Sequence, residues 1–218
     1  MGGARGSAAT VLLSLGAGGG CLVFKPQYLQ LRADVGPEVN LYGMGETTQA
    51  EGLRLRRDGS SRALWNSDTP AAAVGVNLYG SHPVLYGVSP GGAAWGWFLA
   101  SSNAMDFSAG SGDVTFRVTG GILELYVFAG PSPNAVAAQY QEVVGRPAMP
   151  PRWALGFHQS RYGYGSVDEL IQVASSYEAA RIPLEVVWSD IDYTDRARMF
   201  TLDPQRYPQA RLRAFVDE

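Results

Sequence analysis

Two stretches of this 218-residue sequence hold residue types suited to chemistry. Ser189-Asp190-Ile191-Asp192-Tyr193 sets two carboxylates beside an aromatic ring, and Gln159-Ser160-Arg161-Tyr162-Gly163-Tyr164 sets a guanidinium among hydroxyls and rings. A carboxylate accepts hydrogen bonds from hydroxyl groups while an aromatic face covers an apolar C–H surface, so the combination suits a sugar. The alternative is that Asp190 and Asp192 cap a loop by accepting from backbone amides. Arg161 is read by default as pairing with a carboxylate. His158, just ahead of the first stretch, is read as an interior residue and not as a catalytic base.

The elements that would position these residues are parallel. Trp153 to His158 reads as a buried strand, and Ser166-Val167-Asp168-Glu169 as a capping box opening a helix. Leu170, Val173, Ala174, Tyr177 and Ala180 then repeat at helical spacing, and Ile182 to Trp188 reads as the next strand, with Pro183 tolerable near its start. A β–α–β unit puts its strands in parallel through a right-handed crossover. Sites in such architectures form at the carboxyl ends of the strands, where both stretches fall. A further helix begins near Pro208, with Leu212, Phe215 and Val216 on one side.

The preceding residues carry a different pattern. Asp113 to Thr119 alternates apolar and polar residues, Gly120-Gly121 follows, and Ile122 to Phe128 is rich in branched and aromatic residues, which predicts a hairpin. Val84 to Val88 and Ala94 to Ala100 read as buried strands, so a sandwich is favoured over a helical bundle. Ser132 and Pro133 are an N-cap and a first helical residue; Val136, Tyr140, Val143 and Val144 line one face, and Gly145 ends the helix. The prolines at 147, 150 and 151 mark a domain boundary. Residues 1–20 form a leader, signal-like or flexible, in which Arg5 precedes the short apolar run Val11-Leu12-Leu13. That run is far below the ~20 residues that span a bilayer, and the compartment stays open.

Composition removes several function classes. Apolar residues make up 46% and charged residues 17%, enough for a packed core. Seventeen basic against 20 acidic residues give a net charge of −3, with no basic footprint for nucleic acid. Lys25 is the only lysine and is followed by Pro26 and Gln27, which excludes a P-loop. One cysteine, Cys21, and two histidines, His82 and His158, leave no disulfide framework and no zinc cage. No Gly-x-Gly-x-x-Gly follows either parallel strand, so the β–α–β unit is not read as dinucleotide-binding. Trp95, Trp97 and Trp153 are read as core.

Leu155 to Tyr164 and Ile182 to Tyr193 resemble glycoside hydrolase family 31, in its α-glucosidase (maltase) branch. Upstream, Phe24 to Leu31, Tyr42-Gly43-Met44-Gly45-Glu46, Trp65-Asn66-Ser67-Asp68-Thr69-Pro70, Asn77-Leu78-Tyr79-Gly80 and Ser102-Asn103-Ala104-Met105 are similar to that family's N-terminal β-sandwich. Gly145-Arg146-Pro147-Ala148-Met149-Pro150 resembles its junction with the barrel. The likeness runs from Leu22 to Glu218. Pro26, Ser160 and a short Gly110-Ser111-Gly112 depart from it without touching the proposed pocket.

The resemblance implies a mixed α+β and α/β chain: an antiparallel, galactose-mutarotase-like β-sandwich over residues 21–147, then over 148–218 the first βα units of a (β/α)8 barrel, cut before the third strand. It implies an exo-acting, retaining enzyme that removes terminal α-linked glucose from maltose and α-glucans, with an α-xyloside as the alternative substrate. Asp190 would hold the hydroxyls of the terminal glucose with Ile191 packed beside it, Tyr162 would wall the subsite, and Asp68 would reach it from a sandwich loop. Asp192, Tyr193 and Arg161 would support. The family's nucleophile and acid/base are two aspartates on later strands, the nucleophile in a Trp-x-Asp-Met-Asn-Glu segment that these residues lack, so the chain alone should not turn over substrate. The rival readings are a non-catalytic carbohydrate-binding fragment and an inactive truncation product, since two βα units cannot close a barrel and would leave edges open to aggregation. No cofactor, metal, nucleic acid or membrane span is implied.

Overall fold

The computed structural model describes residues 14–15, 21–69 and 73–217. The leader reading at 1–20 therefore lies, apart from Ser14 and Leu15, outside the described residues. The chain divides into two compact units between Arg146 and Pro147.

The first unit contains nine strands among the described residues: β1 (Leu22–Lys25), β2 (Tyr28–Asp34), β3 (Asn40–Gly43), β4 (Ser61–Leu64), β5 (Val84–Val88), β6 (Ala94–Leu99), β7 (Met105–Ala109), β8 (Asp113–Val118) and β9 (Leu125–Phe128). They form a five-stranded sheet in the order β1-β2-β8-β7-β4 and a four-stranded sheet in the order β3-β5-β6-β9, with every pairing antiparallel. The inner faces of both sheets share one core, in which Leu29, Leu31, Phe107, Phe116 and Val118 meet Leu41, Leu85, Trp95, Trp97 and Leu99. The β6 sequence Ala-Trp-Gly-Trp-Phe-Leu is apolar throughout because both of its faces are covered. Trp95, Trp97 and Leu99 point into the sandwich, while Ala94 and Phe98 meet α1 (Pro133–Val144) and its neighbours outside. Ser132 Oγ caps α1 by accepting from Ala135 N–H at 3.2 Å.

Arg57 ties the sandwich at one end. Its guanidinium donates to the carbonyls of Gly110 at 3.0 Å, Pro37 at 2.9 Å and Val39 at 2.8 Å. Burial pulls its pKa below the ordinary arginine value.

Three expectations are corrected in this unit. Asp113–Val118 and Leu125–Phe128 are strands but not a hairpin: both edges of β8 are taken, by β2 and β7, so Gly120-Gly121 carries the chain across to the other sheet. Both glycines have positive φ, +102° and +90°, as that crossing requires. Thr115 is buried with its apolar neighbours because β8 is central, which breaks the expected alternation. On α1, Val136 and Tyr140 meet the sheet, whereas Val143 and Val144 are exposed in the last turn.

The second unit holds β10 (His158–Arg161), α2 (Val167–Ala179), β11 (Val186–Ser189) and α3 (Gln209–Asp217). β10 and β11 pair in parallel with His158 opposite Val186 and Arg161 opposite Ser189. A cluster of Tyr164, Val167, Leu170 and Tyr207 forms the core of the unit, with Ile171, Val187, Tyr193, Leu212 and Phe215 packed on it.

Here too the expected boundaries move. Arg152–Leu155 is a single 3₁₀ turn and the strand begins, not ends, at His158. Pro150-Pro151 sets the entry to that turn. Trp153 is 54% exposed and is not core in this unit. The second strand is shorter than predicted, starting at Val186, because Ile182 and Pro183 leave the helix in an irregular turn. In the capping box, Ser166 Oγ accepts from Glu169 N–H at 3.3 Å, but Glu169 reaches back to Gly165 N–H at 2.8 Å instead of to the cap residue. Val216, expected on the buried side of α3, is exposed.

Candidate functional site: a carboxylate rim at the parallel strand ends

The register of β10 and β11 decides the geometry of the site. With Arg161 opposite Ser189, the next residues on each strand, Tyr162 and Asp190, leave the sheet at one level on neighbouring strands. Parallel neighbours lie about 4.8 Å apart. Tyr162 is 71% exposed and its ring is free to face a ligand. Asp190 is exposed and begins a 3₁₀ turn over Ile191–Tyr193, its Oδ1 accepting from Ile191 N–H at 2.7 Å. Its second carboxylate oxygen has no partner among the described residues. Ile191 is partly exposed beside it.

Asp192 has a different task. Its Oδ2 accepts from Gly163 N–H at 2.8 Å and so ties the β11 turn to the loop after β10. Gly163 has φ +116°, a conformation that favours glycine. Thr194, buried, closes the turn by donating its hydroxyl to Ile191 O at 2.6 Å. Tyr193 packs on the Tyr164–Tyr207 cluster and anchors the turn from below. Arg161 is exposed at the end of β10 and forms no ion pair among the described residues, so the default pairing with a carboxylate is not made.

Beneath the rim lies a polar network that sequence reasoning missed. Gln159 donates to Tyr164 Oη at 2.9 Å and accepts from Tyr177 Oη at 2.5 Å. Tyr207 donates to Tyr164 O and receives the Ser189 hydroxyl at 3.2 Å. Burial holds the Tyr207 phenol above its ordinary pKa. β10, α2 and the end of β11 are thus joined by side chains through Tyr164 and Tyr207. Tyr177 was visible as a residue of the helical apolar face; Tyr207 carried no local signal.

His158 sits at the opposite end of β10 from the rim. Its Nδ1 accepts from Trp188 Nε1 at 3.0 Å, which leaves the proton of the neutral ring on Nε2, and its ring lies between those of Trp153 and Trp188. That placement does not make it a base for the rim.

Asp68 belongs to the first unit, in the loop after β4. The loop is held by Ser67 N–H donating to Leu78 O at 2.8 Å, and Asp68 is exposed. The Tyr79 hydroxyl bonds the Asp68 carboxylate, which raises the phenol pKa. Among the described residues no group of three His, Cys, Asp or Glu side chains could hold a metal ion, and no helix is long and apolar enough to cross a membrane.

An antiparallel sandwich followed by parallel βα units with carboxylates at the strand ends defines the class: a β-sandwich joined to the beginning of a TIM-barrel domain. Residues 21–107 match the glycosyl hydrolase 31 N-terminal galactose mutarotase-like domain, and residues 147–218 match the glycosyl hydrolases family 31 TIM-barrel domain. The chain belongs to glycoside hydrolase family 31. It is 50% identical over 203 residues to a probable alpha-glucosidase of Oryza sativa subsp. japonica, covering 90% of this chain and 23% of that protein. It is 49% identical over 197 residues to an alpha-glucosidase of Hordeum vulgare, covering 90% and 22%. Among solved structures it is similar to a family 31 alpha-glucosidase from Bacteroides thetaiotaomicron, at 34% identity and a TM-score of 0.69, covering 82% of this chain and 30% of that one. The chain therefore spans under a quarter of the length of these curated relatives.

Proposed function

We propose that this chain is the N-terminal part of a retaining α-glucosidase that removes terminal α-linked glucose from maltose and α-glucans. It supplies part of the glucose subsite and neither the nucleophile nor the acid/base. The observation that carries the reading is Asp190: a carboxylate at a parallel strand end, one oxygen fixed by Ile191 N–H and the other open, on the strand neighbouring an exposed Tyr162. In this reading Asp190 accepts hydroxyl hydrogen bonds of the terminal glucose, and Ile191 and Tyr162 cover its C–H surface. Asp192 and Tyr193 position the turn. Arg161, unpaired, is available to a sugar hydroxyl. Identity of 50% and 49% to α-glucosidases, against 42% to an alpha-xylosidase of Arabidopsis thaliana over the same share of the chain, supports maltose over an α-xyloside.

The test is hydrolysis by the longer protein that contains these residues. Maltose should be cleaved in preference to an α-xyloside, with α-glucose released first, while the 218 residues alone release none. Initial release of β-glucose, or preference for the xyloside, would refute the proposal.

A further inference from the structure

The first unit contains a concave site of its own. A cavity of about 540 Å³, within the size range of small-ligand sites, opens beside the free edge of β4. In the loop after β4, Trp65, Ser67 and Thr69 line the cavity, whereas Asp68 does not and instead meets Tyr79. Arg62, on β4 two residues from the buried Leu64, projects into the same space.

The Ser67 and Thr69 hydroxyls of the lining bond each other at 2.7 Å, whereas other polar groups of the lining are unspent. The Arg62 guanidinium has neither an ion pair nor a hydrogen bond among the described residues, and burial lowers its pKa below the ordinary value. The Gln49 amide and the Trp65 indole N–H also lack partners among the described residues, and the Trp65 ring is 63% exposed. Asn77, also in the lining, spends its Nδ2 on Ala63 O at 2.9 Å at the β4 edge. Arg56 on the rim is already engaged by Glu51.

From this we infer that the cavity is a carbohydrate site of the sandwich unit, built from residues other than Asp190, Ile191 and Tyr162, which binds a neutral α-glucan segment with Arg62 donating to hydroxyls and the Trp65 ring stacked on a sugar. A guanidinium that makes no hydrogen bond among the described residues, with the Glu51 carboxylate near enough to act on its charge, matches a ligand rich in hydroxyls and without charge; a phosphorylated ligand would meet that carboxylate. An exposed indole supplies the apolar face that each pyranose needs. The choice of an α-glucan rests on the α-glucosidase reading, whereas the existence of the site does not.

The experiment uses the longer protein with Asp190→Ala, which silences the rim, and follows maltoheptaose binding by tryptophan fluorescence and calorimetry. Arg62→Met and Trp65→Ala are each expected to weaken that binding about tenfold or more, the scale of one hydrogen bond to a charged group. In the protein with Asp190 intact, Arg62→Met should lower kcat/KM on soluble starch and leave it unchanged on maltose. Should Arg62→Met misfold, Arg62→Gln, which keeps two donors, serves in its place with partial retention expected. Maltoheptaose affinity unchanged by these substitutions, or saturable binding of inorganic phosphate in preference to the sugar, overturns the inference. Arg62-dependent sugar binding in a protein that hydrolyses no α-glucoside would refute the proposed activity and leave the site standing.

Discussion

On the proposed reading, substitutions at Asp190 and Asp192 separate a residue that binds from a residue that positions. The two carboxylates are one residue apart, yet Asp190 keeps an oxygen open and Asp192 spends Oδ2 on Gly163 N–H at 2.8 Å. Asp190→Asn preserves the side-chain oxygen that caps Ile191 and removes the charge that strengthens bonds from sugar hydroxyls. A hydrogen bond to a charged group is worth about 1.5–3 kcal/mol, so kcat/KM on maltose should fall about 10- to 150-fold per such bond made in the transition state. Stability should change by less than about 0.5 kcal/mol, as for other exposed substitutions. Asp192→Ala removes one tether to an exposed amide that water can then satisfy; it should cost about 0.5–1.5 kcal/mol and less than tenfold in kcat/KM. Asp192→Asn retains an acceptor for Gly163 and should be milder still. The assay is maltose kinetics of the longer protein, paired with urea melts of each variant. If Asp192→Asn costs as much activity as Asp190→Asn, the division of labour is wrong. If Asp190→Asn is within about twofold of the parent, Asp190 is no part of the site.

Two further perturbations test the scaffold. A Cβ at Gly96 would come within 2.4 Å of Val136 Cγ1 and 3.3 Å of Phe128 Cδ2, so Gly96→Ala should lift α1 from the sheet at a cost of about 1–3 kcal/mol; adding Val136→Ala should cost less than the sum of the two single changes in urea melts, and strict additivity would show that no contact joins them. Asp203 is held below its ordinary pKa by the backbone N–H of Arg206, then by the Arg206 guanidinium and the N–H of Gln205. A depressed folded-state pKa adds stability that is present above the unfolded value, about 3.9, and is lost as pH falls through the lower folded one. Asp203→Asn should therefore flatten the acid limb of the stability curve below about pH 4; an unchanged limb would remove Asp203 from it.

What could be read from the sequence was what local chemistry decides. Ser132 with Pro133 and Ser166 with Glu169 are short-range devices, and both helices begin where those residues stand. The placement of Asp190 and Asp192 was legible for a related reason: they follow the end of the parallel strand directly. The errors came where distant residues decide. Gly120-Gly121 is a good local turn, but β2 and β7 had already claimed both edges of β8. Trp153 to Phe157 is apolar enough for a strand, yet the prolines before it start a turn and the parallel register begins at His158. Tyr207, which joins Tyr164 O to Ser189, lies too far along the chain for any periodicity to link it to the rim.

On the proposed function, the two readings open at the sequence level, ligand contact and loop cap, are divided between atoms and do not exclude one another. Asp192 caps outright. Asp190 caps with Oδ1 and presents Oδ2, so the bond that restrains the turn also aims the free oxygen. An exposed carboxylate rotating about its own side chain would lose rotamer entropy when a sugar arrived. One fixed by Ile191 N–H, with the turn held in turn by Asp192, Thr194 and Tyr193, has largely met that cost on folding. Preorganisation of this kind makes a positioned carboxylate worth more against a transition state than the same charge on a free loop. It follows that a change beneath the rim can act on binding without touching a ligand. Tyr207, which receives the Ser189 hydroxyl and donates to Tyr164 O, lies on that path.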